Sequence, residues 1–169
     1  EVDGHRIAFT NLDKPLWPKH EDRAAVTKRE VVRYFATMGP VLLPHLRSRP
    51  LTLTRYPDGI YDESFYQKHW EHKLPDFVET VDMFSSHNKG SREYIVVNNL
   101  PTLVWLAQIA DLELHPSLSR TVREPDALDA TTDFAESEDA ILGSVLIRPD
   151  FIVFDLDRYI YSRPEMSRN

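Results

Sequence analysis

The chain has 169 residues, no cysteine and a formal net charge of −7. Its 41% hydrophobic and 28% charged content is that of a folded globular chain, which excludes an intrinsically disordered one. The lack of cysteine excludes disulfides, thiolate metal sites and a cysteine nucleophile, and fits a reducing interior. No apolar run approaches the 18 residues of a membrane span, and the first residues lack the pattern of a signal peptide. The charge is uneven: residues 1–75 hold 12 Lys+Arg against 10 Asp+Glu, residues 76–169 hold 8 against 17. The first half can therefore carry a local basic patch for a phosphate-rich ligand despite the acidic total.

In chain order, Arg6–Thr10 reads as a short strand and Asn11–Pro15 as a turn, followed by an apolar anchor at Leu16-Trp17-Pro18. Thr27 and Glu30 have capping-box spacing, and Val31, Tyr34, Phe35, Met38 and Leu42 follow at helical intervals. These predict a helix from about Lys28 to Leu43, kinked or broken at Gly39-Pro40 and finished by Pro44. Lys28 and Arg29 sit in its first turn, where backbone N–H groups favour an anion; solvated surface charge is the blander reading.

Arg49–Arg55 predicts a strand with Leu51, Leu53 and Arg55 on one face, and Tyr56-Pro57-Asp58-Gly59 a β-turn. Ser64–Trp70 interleaves aromatics with Lys68, as a base-stacking surface requires, although core strand residues have the same look. His69 and His72, at i and i+3, do not match the usual zinc spacing. A short strand is expected around Phe77–Val81 and a β-branched strand at Arg92–Val97. A helix then runs from Asn99-Leu100-Pro101 to near Asp111, and Leu112–Pro116 forms a strand ending in His115. Residues 124–147 contain seven acids and no Lys or Arg, an acidic insertion of loop plus a helical turn near Ser137–Leu142, read as solvated surface.

Pro149–Asp157 is an apolar run ending in Asp155 and Asp157. As a strand it would be buried on both faces, with the two carboxylates on one face ~6.5 Å apart. That spacing suits ligands of divalent ions; strand-end residues facing water are the alternative. The element order predicts a single α+β domain over residues 1–169, with a mixed sheet packed by two helices. No glycine-rich phosphate cradle is available, so any phosphate must be held by side chains, helix ends and metals.

Seven stretches then occur in a telling order: Thr10–Lys14, Thr27-Lys28, Arg49–Gly59, Phe65–Lys68, Leu103–Gln108, Leu112–Pro116 and Phe154–Asp157. Together they resemble the polymerase domain of DNA ligase D and its stand-alone archaeal relatives, within the archaeo-eukaryotic primase superfamily. The resemblance runs from about Ile7 to Tyr161. It implies a template-dependent nucleotidyltransferase that fills gaps and extends ends in non-homologous end joining, using (ribo)nucleoside triphosphates and Mn²⁺ or Mg²⁺. It further implies DNA with 5′-phosphorylated ends or gaps, Ku and a DNA ligase as partners, in a prokaryotic cytoplasm at the nucleoid.

Carried over by position, Asp155 and Asp157 are the implied metal-binding carboxylates and His115 the implied active-site histidine beside the nucleotide. Lys14 and Lys28 are the implied 5′-phosphate pair, and Phe65 and Tyr66 the implied aromatic pair on the template. Arg55 and Lys68 fall in basic positions of the same surface. Arg158 stands where the family motif has proline, and the acidic insertion is longer than in the bacterial enzymes. The family's third metal carboxylate and its Ser/Gly-rich triphosphate segment have no match within residue 169, so they are expected in a separate C-terminal part. Two other readings are a DNA-end-binding module without catalysis and a metal-dependent phosphoesterase using Asp155, Asp157 and His115.

Overall fold

The computed structural model describes residues 1–156. A five-stranded sheet carries two helices on one face, and the strand Pro50–Arg55 (β3) is its organising element. In chain order the flanking elements are β1 (Pro15–Trp17), β2 (Val26–Thr27), α1 (Lys28–Leu46), β4 (Phe65–Gln67), β5 (Glu79–Ser85), β6 (Gly90–Val96), α2 (Leu100–Gln108), β7 (Asp111–Pro116) and α3 (Glu138–Leu142). Along one edge β3 pairs with β7. Along the other it pairs first with β6, at Pro50 and Leu51, and then with β4, at Leu53–Arg55. β5 closes the sheet beyond β6. Every pairing between these strands is antiparallel. The α+β class holds, and the sheet is antiparallel where the sequence led us to expect a mixed one.

Period-two alternation explains why helices cover only one face. Leu51 and Leu53 point the same way and are almost fully buried, with Leu114 beside Leu53 across the ladder. Onto them pack Val31, Phe35, Leu43 and Leu46 of α1 and Leu103, Leu106 and Ala107 of α2. Burying a leucine of this kind contributes roughly 1.5–3 kcal/mol.

α1 starts as the capping box predicts, with Glu30 Oε2 accepting from the Thr27 amide at 2.7 Å and the Thr27 hydroxyl at 3.0 Å. It does not stop at Gly39-Pro40 or Pro44: both prolines lie inside a helix that continues to Leu46. Gly39 serves packing instead. A Cβ there would lie 2.4 Å from Leu100 Cδ1, so the missing side chain lets the two helices approach. α2 begins at Asn99, whose Oδ1 accepts from the Thr102 amide at 2.9 Å, with Pro101 in the first turn.

Three expectations change. Arg6–Thr10 is not a strand; it is held to α2 by Gln108, whose Oε1 accepts from the Thr10 amide (3.2 Å) and whose Nε2 donates to Thr10 Oγ1 (2.8 Å). The acidic stretch does form its helical turn, capped by Ser137, but it is not merely solvated surface. Ala127, Ala130, Phe134 and Val145 form a small second core against Val81 and Met83 of β5. Finally, residues 151–156 form no strand, and Ile152, Val153, Phe154 and Leu156 are exposed. A strand buried on both faces needs neighbours on both sides, and among the described residues none pairs with this segment. Asp157 and the predicted Tyr159–Tyr161 exit lie outside the described residues.

Candidate nucleic-acid interface

β1 and β2 bring together Lys14 and Lys28, the two lysines expected at a 5′-phosphate. Their antiparallel pairing matches Pro15 with Thr27, and the Lys28 amide donates to the Lys14 carbonyl at 2.9 Å. The next amide, Arg29 N–H, donates to Leu12 O at 2.8 Å. The turn Asn11–Lys14 is thereby tied to the first turn of α1, where helix N–H groups and the macrodipole favour an anion. Lys28 is 6% exposed. Burial, then the charges of Lys14 and Arg55, hold its ammonium below the ordinary lysine range. The Lys14 ammonium forms an ion pair with the exposed carboxylate of Asp58, from the β-turn after β3. That turn closes with Gly59 N–H donating to Tyr56 O at 3.1 Å, and Gly59 has a φ of +110° that only glycine adopts without strain.

Arg55 ends β3 on the helix-covered face, close enough to depress Lys28. Its Nε donates to Ile109 O (3.2 Å), its Nη1 to Gln67 Oε1 (3.2 Å), and its guanidinium lies 5.5 Å over the Trp70 ring. Opposite it stands Asp111. The β3–β7 ladder slips between Thr54 and Arg55, pairing Thr54 with Glu113 but Arg55 with Asp111. This bulge turns Asp111 inward. Its side chain is fully buried and neither carboxylate oxygen has a hydrogen-bond partner. Burial pushes its acidity to about 8; Arg55, foremost, opposes that shift, and the Thr54 amide opposes it without reaching hydrogen-bond geometry.

The other face of the same strands carries a second group. Thr54 pairs with Tyr66 on β4 and with Glu113 on β7, and His115 follows two residues later. His115 Nε2 lies 3.0 Å from Thr54 Oγ1 and 3.4 Å from Glu113 Oε2. Glu113 Oε1 accepts from the Tyr56 hydroxyl at 2.5 Å. The Tyr66 ring meets the His115 ring edge-on at 6.1 Å. Tyr66 is 64% exposed, which leaves most of its ring open to solvent.

Phe65 and Tyr66 are therefore adjacent but not co-facial. Phe65 pairs with Arg55 and lies on the opposite side of β4 from Tyr66, half-exposed at the sheet edge. Lys68 lines an open cleft of about 370 Å³ with Tyr66, His69, Glu71 and His72. Asp155 stands in the exposed segment after Phe151 and Asp157 is outside the described residues. Among the described residues no three His, Asp or Glu side chains converge as a metal site. The described residues thus do not by themselves fit a Mn²⁺ or Mg²⁺ centre. The segment leading to Asp155 is nevertheless anchored: Asp150 Oδ2 accepts from Arg49 Nη2 (2.6 Å) and is ion-paired with Arg120 Nε (2.8 Å), and its amide donates to Leu118 O (3.1 Å).

Residues 27–159 match the model of the LigD primase-polymerase domain. The chain belongs to this family. It is 33% identical over 139 residues to the bifunctional non-homologous end joining protein LigD of Bacillus subtilis, covering 82% of this chain and 21% of that protein. The multifunctional LigD of Mycolicibacterium smegmatis is 34% identical over 110 residues, 65% of this chain and 14% of that protein. Among solved structures, the polymerase domain of Mycobacterium tuberculosis Ligase D in complex with DNA superposes with a TM-score of 0.62 at 31% identity. That match covers 72% of this chain and 40% of the other. The LigD-type chain thus spans about a fifth or less of the curated relatives it matches. Within that span, four residues that the sequence did not single out shape the site: Thr54, Asp58, Asp111 and Glu113. The one available signal was the i, i+2 series Asp111, Glu113, His115, three ionisable side chains on a six-residue strand.

Proposed function

We propose that this chain acts in end-joining DNA repair, recognising 5′-phosphorylated ends or gaps and serving template-dependent nucleotidyl transfer there. The observation that carries this reading is the junction of Lys14, Lys28 and Arg55 at the start of α1, on a chain of the LigD primase-polymerase family. A terminal phosphate carries more charge than a backbone diester. Clustered cations at a helix start therefore discriminate an end from the interior of a strand. On the neighbouring face Tyr66 offers an exposed ring for base stacking that tolerates any base, as gap filling requires. His115, whose ring lies 6.1 Å from that of Tyr66, is the group this reading sets beside the incoming nucleotide. The structural neighbour bound to DNA supports the binding part of this reading.

The same reading assigns Asp155 and Asp157 as ligands of Mn²⁺ or Mg²⁺, hard ions that take carboxylate oxygens. Ribonucleoside triphosphates, Ku and a ligase partner belong to the proposal through the family. No helix of the described residues is long and apolar enough to cross a membrane.

The test is template-directed incorporation of a ribonucleotide opposite a one-nucleotide gap with a 5′-phosphate, in Mn²⁺. Incorporation that Asp155→Ala abolishes is the expected result. Phosphate-dependent binding with no incorporation would replace the polymerase by an end-binding module, and nucleotide release from the ends would replace it by a phosphoesterase.

A further inference from the structure

The face of the sheet that the helices leave uncovered holds a polar network around His115, in which Thr54, Tyr56 and Glu113 have as yet no assigned role. Its members come from two strands, Thr54 and Tyr56 from β3 and its following turn, Glu113 and His115 from β7. The pairing Thr54↔Glu113 places all of them on one side. We propose that Glu113 is a positioning residue for His115, fixing the imidazole's tautomer and its orientation beside Tyr66.

The argument is one of donors and acceptors. An ionised carboxylate only accepts, and a neutral imidazole has one N–H and one bare nitrogen. Glu113 is held ionised: the Tyr56 hydroxyl donates to it at 2.5 Å and, foremost among the causes, keeps it below the ordinary glutamate range, with His115 and Thr54 beside it adding to the shift. A carboxylate oxygen 3.4 Å from His115 Nε2, and the Thr54 hydroxyl at 3.0 Å, both face the same ring nitrogen. The Thr54 hydroxyl can accept as well as donate, so the carboxylate, which only accepts, decides where the ring proton sits. The ring proton therefore sits on Nε2, and Nδ1 is left as the acceptor for a substrate hydroxyl. The charged groups facing this network are Glu113 and, across the β7 bulge, the inward Asp111, while Tyr66 from β4 contributes only its ring edge.

The role of His115 in nucleotide transfer rests on the proposed function, but the tautomer does not, so the two are tested separately. Long-range ¹H–¹⁵N NMR on the full chain at pH 8, with the His115 signals assigned by their loss in His115→Gln, reads the tautomer directly. Expected is a single Nε2–H state in the wild type and in Tyr56→Phe, and an average of both tautomers in Glu113→Ala. An averaged wild type, or a Glu113→Ala ring still wholly Nε2–H, overturns the proposal. So does loss of the single state in Thr54→Val but not in Glu113→Ala, which would hand the task to Thr54. Should Glu113→Ala fail to fold, Glu113→Gln replaces it: the expected result is a second, Nδ1–H population, and an unchanged single state overturns the proposal. In the incorporation assay, Glu113→Gln is expected to lower kcat about tenfold with KM for gapped DNA unchanged. An unchanged kcat in an active chain would also overturn it, whereas a chain inactive at every residue tests only the polymerase reading.

Discussion

Lys28 gives its backbone amide to the carbonyl of Lys14 at 2.9 Å, so the two ammonium groups issue from one hydrogen-bonded junction. That junction is built from a turn, a two-strand pairing and a helix start, each with a local cause in the sequence. Lys14 is held meanwhile by Asp58. A carboxylate on this ammonium competes with an incoming phosphate for the same donor. Asp58→Asn should therefore tighten binding to 5′-phosphorylated duplex about two- to fivefold at low salt, with less gain at higher salt. Fluorescence anisotropy at two ionic strengths checks this, and weaker binding would mean that Asp58 supports the site.

Asp111 gives a pH-dependent stability. Its acidity in the folded chain, about 8, stands above the ordinary carboxylate value near 3.8. The unfolded chain therefore releases the proton first. The stability tied to this group is complete below about pH 4 and is lost as pH rises through 8. Asp111→Asn should match the wild type near pH 4.5 and exceed it by about 1–3 kcal/mol at pH 8. Urea unfolding at the two pH values checks the sign; a variant less stable at pH 8 would show that the ionised carboxylate is needed by Arg55.

Gly39 faces Leu100 where α1 packs on α2. Gly39→Ala places a methyl 2.4 Å from Leu100 Cδ1 and should destabilise by about 1–3 kcal/mol despite alanine's better helix propensity. The double variant Gly39→Ala, Leu100→Ala should recover part of that loss, since it removes the colliding group. Thermal unfolding of the three variants distinguishes a packing effect from a propensity effect.

The cap of α2 ties the helix to the loop before β5. Asn99 accepts from the Thr102 amide (2.9 Å) and donates to Phe77 O (2.8 Å). Asn99→Ala loses both and should cost about 1–2 kcal/mol. Asn99→Asp, keeping only the acceptor, should cost less in chemical denaturation.

Where local chemistry suffices, the sequence was informative. Thr27 with Glu30, Asn99 with Pro101, and Ser137 mark their helix starts without any tertiary help. The alternation of Leu51, Leu53 and Arg55 correctly put Arg55 on one face with the two leucines, and the structure turns that face inward. What was not legible depended on pairing. Gly39-Pro40 reads as a kink or break because its packing partner, Leu100, lies 61 residues beyond Gly39 along the chain. Phe65 and Tyr66 read as one aromatic patch until their register separates them, Phe65 with Arg55 and Tyr66 with Thr54. Asp111 faces inward only because of a one-residue slip in the ladder, which no pattern of side chains announces. The apolar run before Asp155 has the composition of a buried strand, yet composition does not supply the neighbours that would bury it.

The central claim is that the Lys14–Lys28 junction reads a terminal phosphate. Its most direct test is equilibrium binding of the chain to one gapped duplex, prepared with either a 5′-phosphate or a 5′-hydroxyl at the gap. The wild type should prefer the phosphate about tenfold or more at 0.1 M salt, and Lys28→Ala should abolish that preference while leaving the hydroxyl duplex bound as before. Equal binding of the two duplexes by the wild type, or an equal loss on both in Lys28→Ala, would contradict it.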